Sequence, residues 1–157
     1  RWLVQQVWPK VIKKQPHARL HLAGNKMPKD LMELDLPGVE VKGRVKQAVS
    51  YMRKHQVMVV PLFSAGGMRV KIIEGMAMGK AVIATDVGAE GIAHRNGKNI
   101  LLANTASEFA EHMIALLREP ERVPLLGMEA RKLVQASYSD EPIVQDLVAF
   151  YKLVLKA

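Results

Sequence analysis

The sequence contains no cysteine among its 157 residues, which excludes disulfide bonds and thiolate metal ligands. It also lacks any apolar run of about 18 residues, so no segment is predicted to cross a membrane. The first twenty residues mix apolar and basic positions around Pro9 and Pro16, unlike the uninterrupted apolar core of a secretory signal. These absences fit a reducing compartment, and the expected location is the cytoplasm.

Aromatic residues are also scarce, at 5% of the chain, which leaves few platforms for stacking the bases of single-stranded nucleic acid. The net charge of +8 still fits a partner that carries phosphate, such as nucleic acid, an anionic membrane or a phosphate-bearing ligand. The basic residues are scattered in ones and twos, which is typical of a solvated surface. General nucleic-acid binding is therefore disfavoured. A non-catalytic domain that binds a phosphate ligand or nucleic acid stays open as an alternative.

Histidine offers no metal site either, because the five histidines form no HExxH pattern and no other closely spaced set. They stand at His17, His21, His55, His94 and His112. The sequence therefore predicts no bound metal.

Apolar patterns of strand type and helix type alternate along the chain. The predicted strands cover 18–24, 38–43, 57–61, 81–85 and 99–103. The predicted helices cover 2–14, 28–34, 45–55, 69–78, 105–117, 120–136 and 140–157. Such alternation indicates βαβ units, that is, a single α/β/α domain whose parallel sheet lies between two layers of helices and whose last helices follow the final strand. The strand at 57–61 is fully apolar, which is typical of a strand buried on both faces.

Six glycines fall in "PLFSAGGMRVKIIEGMAMGKAVIATDVGAEG", residues 61–91, where a strand is expected to lead into a helix. Gly66 and Gly67 can adopt positive φ and let a ligand approach the main chain closely. The helix beginning near Arg69 offers unpaired N–H groups and the positive end of its dipole, which favour phosphate. In open α/β sheets, ligands bind at such carboxyl ends of strands. The pattern therefore favours a phosphate site.

Two charged residues follow the bend on one helical face. Lys71 lies in the first turn and adds a positive charge, and Glu74 follows three residues later. A carboxylate beside bound phosphate is suited to accept hydrogen bonds from ribose hydroxyls, which indicates a nucleotide. Alternatively, the glycines only turn the chain and Lys71–Glu74 is a surface ion pair. The spacing matches neither a Walker A loop nor a GxGxxG fingerprint.

The segment "GGMRVKIIEGMAMGKAVIATDVGAEG" resembles the C-terminal, donor-binding domain of retaining glycosyltransferases with the GT-B fold, family 4 (glycosyl transferases group 1). The segments "HLAGNKMP", "PGVEVKGRV", "MVVPLFSAGG" and "NILLA" follow the order of that family. The likeness covers nearly the whole chain. It implies a Rossmann-like nucleotide-sugar-binding domain.

The resemblance also implies roles for individual residues. Main-chain N–H groups would wrap the diphosphate at Ser64, Ala65, Gly66 and Gly67. Lys71 would face the diphosphate charge, with Arg69 as a helper, and Glu74 would accept the ribose hydroxyls. Arg44 and Val45 would lie against the nucleobase, largely through main-chain atoms.

The reaction implied by the resemblance is transfer of a sugar from a nucleotide-diphosphate sugar to a glycan or lipid-linked acceptor. It leaves the anomeric configuration unchanged and needs no metal or other cofactor. The catalytic residues would be Lys71 and Glu74, because the enzyme chiefly stabilises the departing diphosphate by electrostatics. Bacterial polysaccharide biosynthesis, at the inner face of the membrane, is the expected setting.

The sequence departs from the family pattern at two glycines and at its start. Gly66 replaces a glutamate that reaches the donor sugar, which leaves the sugar open. Gly75 replaces alanine in mid-helix at a cost of up to about 1 kcal/mol, which close packing would explain. The family's first strand, the central one of its sheet, and its acceptor domain are expected to lie outside residues 1–157. We therefore expect a fragment of a longer two-domain enzyme, inactive alone and able to self-associate through exposed sheet edges.

Overall fold

The computed structural model describes residues 1–64 and 66–155 and arranges them as alternating strands and helices. The strands in this part of the chain are β1 (Leu20–Ala23), β2 (Val39–Gly43), β3 (Val57–Val60), β4 (Ala81–Ala84) and β5 (Leu101–Leu102). The α-helices are α1 (Trp8–Lys14), α2 (Lys29–Met32), α3 (Ala48–Arg53), α4 (Val70–Ala77), α5 (Asp86–Ala89), α6 (Ala106–Arg118), α7 (Arg122–Ser137) and α8 (Asp140–Val154). A π-helical segment, Leu3–Val7, leads into α1.

The predicted strands and helices are confirmed with ends that differ by a few residues, and α5 is an addition. Four residues are too few to show a periodic pattern, so α5 left no clear signal in the sequence. Thr85 begins it, and the Thr85 side chain accepts a hydrogen bond from the Gly88 N–H at 3.0 Å. Thr105 begins α6 in the same way, with Glu108 completing a capping box.

All the strand pairs are parallel, as predicted for an α/β/α domain. Leu20 lies opposite Val39 in the β1–β2 pair, and Val57 lies opposite Ala81 in the β3–β4 pair. The described strands form two groups, β1-β2 and β3-β4-β5, so the parallel sheet is interrupted between β1 and β3. The prediction that the strand at 57–61 is buried on both faces was wrong. All four residues of β3 are only half-buried.

One helical layer holds the two sheets together. The π-helical segment, α1 and α6 contribute buried side chains, including Trp8 and Phe109, to a cluster that also contains Leu20 of β1 and Ile83 of β4. A second cluster lies on the opposite face of β4, where α4 and α7 meet. The buried contacts that join the β1-β2 sheet to the rest of the domain therefore lie mainly on the face covered by α1 and α6.

Gly75 in α4 lies close against β3, as its presence in mid-helix predicted. A Cβ added to Gly75 would lie 2.7 Å from Met58 Sδ. Within residues 1–64 and 66–155, no helix has both the length and the apolar character needed to cross a bilayer.

Candidate functional site

The glycine bend follows β3 and precedes α4, at the carboxyl end of the strand. Gly67 has φ +73°, a left-handed conformation that strongly favours glycine. Among the described residues, no atom lies within 4 Å of a Cβ added to Gly66 or Gly67, so the main chain borders open space at these two glycines. This open space is compatible with the predicted approach of a ligand. Ala65 lies outside the described residues.

Side chains from distant parts of the chain hold the start of the bend. The buried Thr85 hydroxyl donates to the Leu62 carbonyl and accepts from the Gly88 N–H. The Phe63 ring packs edge-on against Trp2, with ring centroids 4.8 Å apart. The bend is therefore tied both to the start of α5 and to the π-helical segment that follows Trp2.

Lys71 and Glu74 lie on one face of α4, as their spacing predicted. Lys71 Nζ is 2.5 Å from Glu74 Oε2, and the two side chains are 61% and 36% exposed. An exposed pair of this kind contributes little to stability, commonly 0–1 kcal/mol. Lys71 and Glu74 can therefore break their ion pair and bind a ligand instead, at a small cost in free energy.

Arg69 precedes the first residue of α4, with no side-chain capping hydrogen bond. Its Nε and one terminal guanidinium nitrogen are shielded from solvent and have no hydrogen-bond partner among the described residues. A shielded cation without an acceptor is costly, and an anion beside it would offset that cost. Arg69 thus supports anion binding at the bend more directly than its spacing alone indicated.

The residues predicted to contact a nucleobase lie on the other sheet. Arg44 and Val45 directly follow β2. Together with Lys71 they line a cavity of about 860 Å³ that opens between β1 and β3. The other predicted residues within the described part of the chain do not line this cavity: Ser64, Gly66, Gly67, Arg69 and Glu74. The residues predicted to contact the nucleobase therefore follow the first sheet, whereas those predicted to contact phosphate follow the second.

Sequence reasoning missed a cluster of titratable side chains in the same cavity. The His21 and His55 rings lie 4.4 Å apart, and the Tyr51 ring is 4.8 Å from His55. His21 Nδ1 lies 2.8 Å from Glu40 Oε2. Burial, and then the neighbouring His21, hold the pKa of His55 below its usual value. These side chains come from segments that are distant in the sequence, so their spacing gave no signal.

Lys80 completes the cluster at the start of β4. It is 5% exposed and donates a hydrogen bond to the His55 carbonyl. Burial lowers the pKa of Lys80. In the part of the chain that the structure describes, no three His, Cys, Asp or Glu side chains are grouped as metal ligands.

Parallel strands between helical layers, with an open glycine bend at a strand end, define the class of Rossmann-like α/β domains. The family model described as "Glycosyl transferases group 1" matches residues 1–119. The match covers more than half of the chain, and the chain belongs to this family of glycosyltransferases.

Individual relatives agree with this membership. An uncharacterised glycosyltransferase of Methanocaldococcus jannaschii is 35% identical over 122 residues, which cover 75% of this chain. Three curated relatives are matched over 40%, 34% and 23% of their own lengths, so the chain spans less than half of each.

Solved glycosyltransferase structures share the fold. A mutant of S. aureus TarM, crystallised with fondaparinux, alpha-GlcNAc-glycerol and UDP, matches with a TM-score of 0.77 at 22% identity, over 94% of this chain and 31% of that one. The C-terminal domain of a glycosyl transferase group 1 family protein from Francisella tularensis matches with a TM-score of 0.72 at 20% identity, over 86% of this chain and 79% of that one.

Proposed function

We propose that the chain is the donor-binding half of a retaining glycosyltransferase of family 4, which takes sugar from a nucleotide-diphosphate sugar. The observation that carries this proposal is the open glycine bend after β3, followed directly by Arg69, Lys71 and Glu74. The acceptor, a glycan or a lipid-linked glycan, would bind a second domain of a longer enzyme. That enzyme would build polysaccharide in the bacterial cytoplasm, at the inner face of the membrane.

The diphosphate would lie over the bend. Main-chain N–H groups there, at Ser64, Ala65, Gly66 and Gly67, would donate to its oxygens. The start of α4 has no side-chain cap, and the helix dipole there favours an anion. Arg69 supplies two shielded guanidinium nitrogens, and Lys71 supplies an exposed ammonium group. Together they would neutralise most of the diphosphate charge.

The ribose would lie beside Glu74. Its carboxylate accepts hydrogen bonds only, and one oxygen is engaged by Lys71 in the ligand-free chain. Once Lys71 turns to phosphate, both oxygens become available to the two ribose hydroxyls. The nucleobase would then reach Arg44 and Val45 in the cavity. Because the TarM mutant was crystallised with UDP, uridine is the first base to test.

Catalysis would consist chiefly of stabilising the leaving group. As the bond between the anomeric carbon and the diphosphate oxygen breaks, negative charge grows on the diphosphate. Preorganised N–H groups and the Lys71 ammonium group oppose that charge where it develops. Glu74 would hold the nucleotide in position while this happens. In this proposal the protein uses no metal and no cofactor other than the donor itself.

A non-catalytic domain that binds a phosphate ligand or nucleic acid is the second candidate, favoured by the net charge of +8. The two candidates differ in salt dependence. Nucleic-acid binding releases many counterions, so its affinity falls steeply as salt rises. Binding of a single nucleotide to a preformed bend depends on salt only weakly.

Titration calorimetry of the chain with UDP, GDP and ADP tests the first candidate. We expect heat with one of them, lost in Lys71→Ala and in Glu74→Ala. Lys132→Ala is the matched control, because Lys132 pairs with Glu129 at the same three-residue spacing on α7, with Nζ and Oε1 2.7 Å apart. Equal losses in all three variants, or heat only with DNA and with a steep salt slope, would contradict the proposal.

A further inference from the structure

The glycine bend after β3 has few contacts of its own. Within residues 1–64 and 66–155, no backbone hydrogen bond joins residues 63, 64 and 66–68 to another residue. The last backbone hydrogen bond before the bend runs from the Leu62 N–H to the Val60 carbonyl, at 3.1 Å. The next along the chain runs from the Ile72 N–H to the Arg69 carbonyl, at 2.8 Å. The path of the bend is therefore set by contacts with other segments.

Thr85 holds the start of the bend. It directly follows β4 and is 1% exposed. Its hydroxyl donates to the carbonyl of Leu62, two residues past the end of β3, and accepts from the Gly88 N–H at 3.0 Å. The Ala89 N–H in turn donates to the Thr85 carbonyl at 3.0 Å. A hydroxyl has a single proton to donate, so the Leu62 carbonyl is tied through it to the first turn of α5.

The segment that begins with Thr85 also packs closely against both ends of the bend. A Cβ added to Gly88 would lie 3.2 Å from Thr85 Oγ1 and 3.2 Å from the Val60 carbonyl oxygen. Gly91 has φ +75°, and a Cβ added there would lie 3.5 Å from Met68 Cβ. Helix α5 and the turn after it therefore contact the last residue of β3 before the bend and Met68 after the glycines.

Thr105 shows what an ordinary helix cap requires. Its hydroxyl accepts a hydrogen bond from the Glu108 N–H at 3.3 Å, as the Thr85 hydroxyl does from the Gly88 N–H. Among the residues that the structure describes, the Thr105 hydroxyl donates no hydrogen bond, and Thr105 is exposed. Burial and the hydrogen bond donated to Leu62 therefore distinguish Thr85 from a residue that only begins a helix.

We propose that Thr85 is a positioning residue for the diphosphate site: its hydroxyl fixes the Leu62 carbonyl and so sets the direction of the main-chain N–H groups in the bend that follows. This inference rests on the proposed function for its ligand. N–H groups that are already oriented bind an anion more tightly than groups that are ordered only on binding. Thr85 acts through the bend and does not contact the ligand. It therefore affects inorganic pyrophosphate and UDP by the same factor.

The test compares three variants of the 157-residue chain. Thr85→Val has nearly the shape of threonine but removes the hydroxyl, which leaves the Leu62 carbonyl and the Gly88 N–H without that partner. Thr85→Ser keeps both hydrogen bonds. Thr105→Val removes the corresponding cap of α6 and is the matched control. We expect the urea unfolding midpoints of both valine variants to fall, because each loses a helix cap.

Calorimetry with UDP and with inorganic pyrophosphate measures the affinity of the bend. We expect Thr85→Val to weaken binding of both ligands by the same factor, about fivefold, which is the scale of one lost hydrogen bond. Thr85→Ser should restore binding, and Thr105→Val should leave it unchanged. Unchanged affinities in Thr85→Val overturn the inference, as do equal losses in the two valine variants. A loss for UDP alone also overturns it, because Thr85 would then act away from the diphosphate.

A fourth variant, Gly88→Ala, covers the case in which Thr85→Val does not fold. It keeps the Thr85 hydroxyl but crowds it and the Val60 carbonyl, because the new Cβ would lie 3.2 Å from each oxygen. We expect Gly88→Ala also to weaken UDP and pyrophosphate binding by the same factor. Full affinity for both ligands in this variant would overturn the inference.

The ¹H–¹⁵N spectrum without ligand separates this inference from the proposed function. The Gly66 and Gly67 amide resonances should move in Thr85→Val and should stay in place in Thr105→Val. If they move but the unchanged chain binds no UDP, GDP, ADP or pyrophosphate, Thr85 holds the bend and the proposed function is rejected. If they do not move, Thr85 does not position the bend, whether or not the chain binds a nucleotide.

Discussion

Lys71 Nζ lies 2.5 Å from Glu74 Oε2, so the two charged groups proposed for opposite ends of a nucleoside diphosphate are paired with each other in the ligand-free chain. Binding would exchange this pair for phosphate on one side and ribose on the other. Because the pair is exposed, little stability is lost in the exchange.

The pair predicts opposite effects of one substitution on two ligands. Glu74→Ala releases Lys71, so we expect inorganic pyrophosphate to bind at least as tightly as to the unchanged chain. UDP should bind at least tenfold more weakly, because hydrogen bonds to a carboxylate are worth about 1.5–3 kcal/mol. Glu129→Ala, which breaks a similar pair on α7, serves as the control. If the affinities for pyrophosphate and UDP fell by the same factor, Glu74 would not be a ligand of the ribose.

Gly67 and Gly97 form a matched pair for the role of the bend. They have φ of +73° and +77°, and a Cβ added to either meets no atom within 4 Å among residues 1–64 and 66–155. Alanine at either position should therefore cost a similar free energy of unfolding, about 1 kcal/mol, from backbone strain alone. Only Gly67→Ala should weaken UDP binding. Calorimetry and urea unfolding of both variants check this, and equal UDP affinities would argue against diphosphate at the bend.

Two glycines inside helices should respond differently to alanine. A Cβ on Gly127 of α7 would lie 1.9 Å from the carbonyl oxygen of Gly79, a backbone atom that cannot move aside locally. A Cβ on Gly75 would approach closely only Met58 Sδ, at 2.7 Å, which is the flexible part of a side chain that borders the cavity; Met52 and Val82 lie at an ordinary contact distance of 4.0 Å. We expect Gly127→Ala to lower the free energy of unfolding by about 2–3 kcal/mol. The change for Gly75→Ala should stay within about 1 kcal/mol, because better helix propensity offsets the displacement.

Urea unfolding of the two variants, each against the unchanged chain, measures the difference. Similar losses for Gly75→Ala and Gly127→Ala would mean that Met58 is held as firmly as backbone, which contradicts an open cavity beside it.

The capping box of α6 predicts a pH-dependent contribution to stability. Glu108 Oε2 accepts hydrogen bonds from the N–H groups of Asn104 and Thr105 at 2.8 and 2.9 Å, and these bonds lower the pKa of Glu108. Its contribution is therefore complete above the ordinary carboxyl pKa of about 4.3 and is lost as the pH falls through the lowered value. The difference in unfolding free energy between the unchanged chain and Glu108→Gln should shrink from pH 6 to pH 3. A difference that is constant with pH would contradict this assignment.

Secondary structure and shared helix faces could be predicted from the sequence, because they depend on the spacing of residues that are close together in the chain. Apolar periodicity predicted the longer strands and helices. The three-residue spacing of Lys71 and Glu74 placed them on one face. The glycine doublet signalled an accessible bend, and the open space over Gly67 agrees with that prediction.

Features that depend on contacts between distant segments were not predictable. The half-burial of β3 depends on an unpaired edge, which the apolar sequence of that strand cannot reveal. The stacking of His21 in β1 on His55, which precedes β3, joins two segments that are distant in the sequence. The shielding of the Arg69 guanidinium is likewise a property of the folded chain. All three features result from tertiary packing. The sequence on either side of each position therefore does not predict them.

The position of the diphosphate is tested most directly by amide chemical shifts in a ¹H–¹⁵N spectrum of the chain titrated with UDP. The account predicts that the largest shifts fall on the amides of Gly66, Gly67 and the first turn of α4, with smaller shifts at Arg44 and Val45. Largest shifts on α1, α6 or α8, with the Gly66 and Gly67 amides unmoved at saturating UDP, would contradict it.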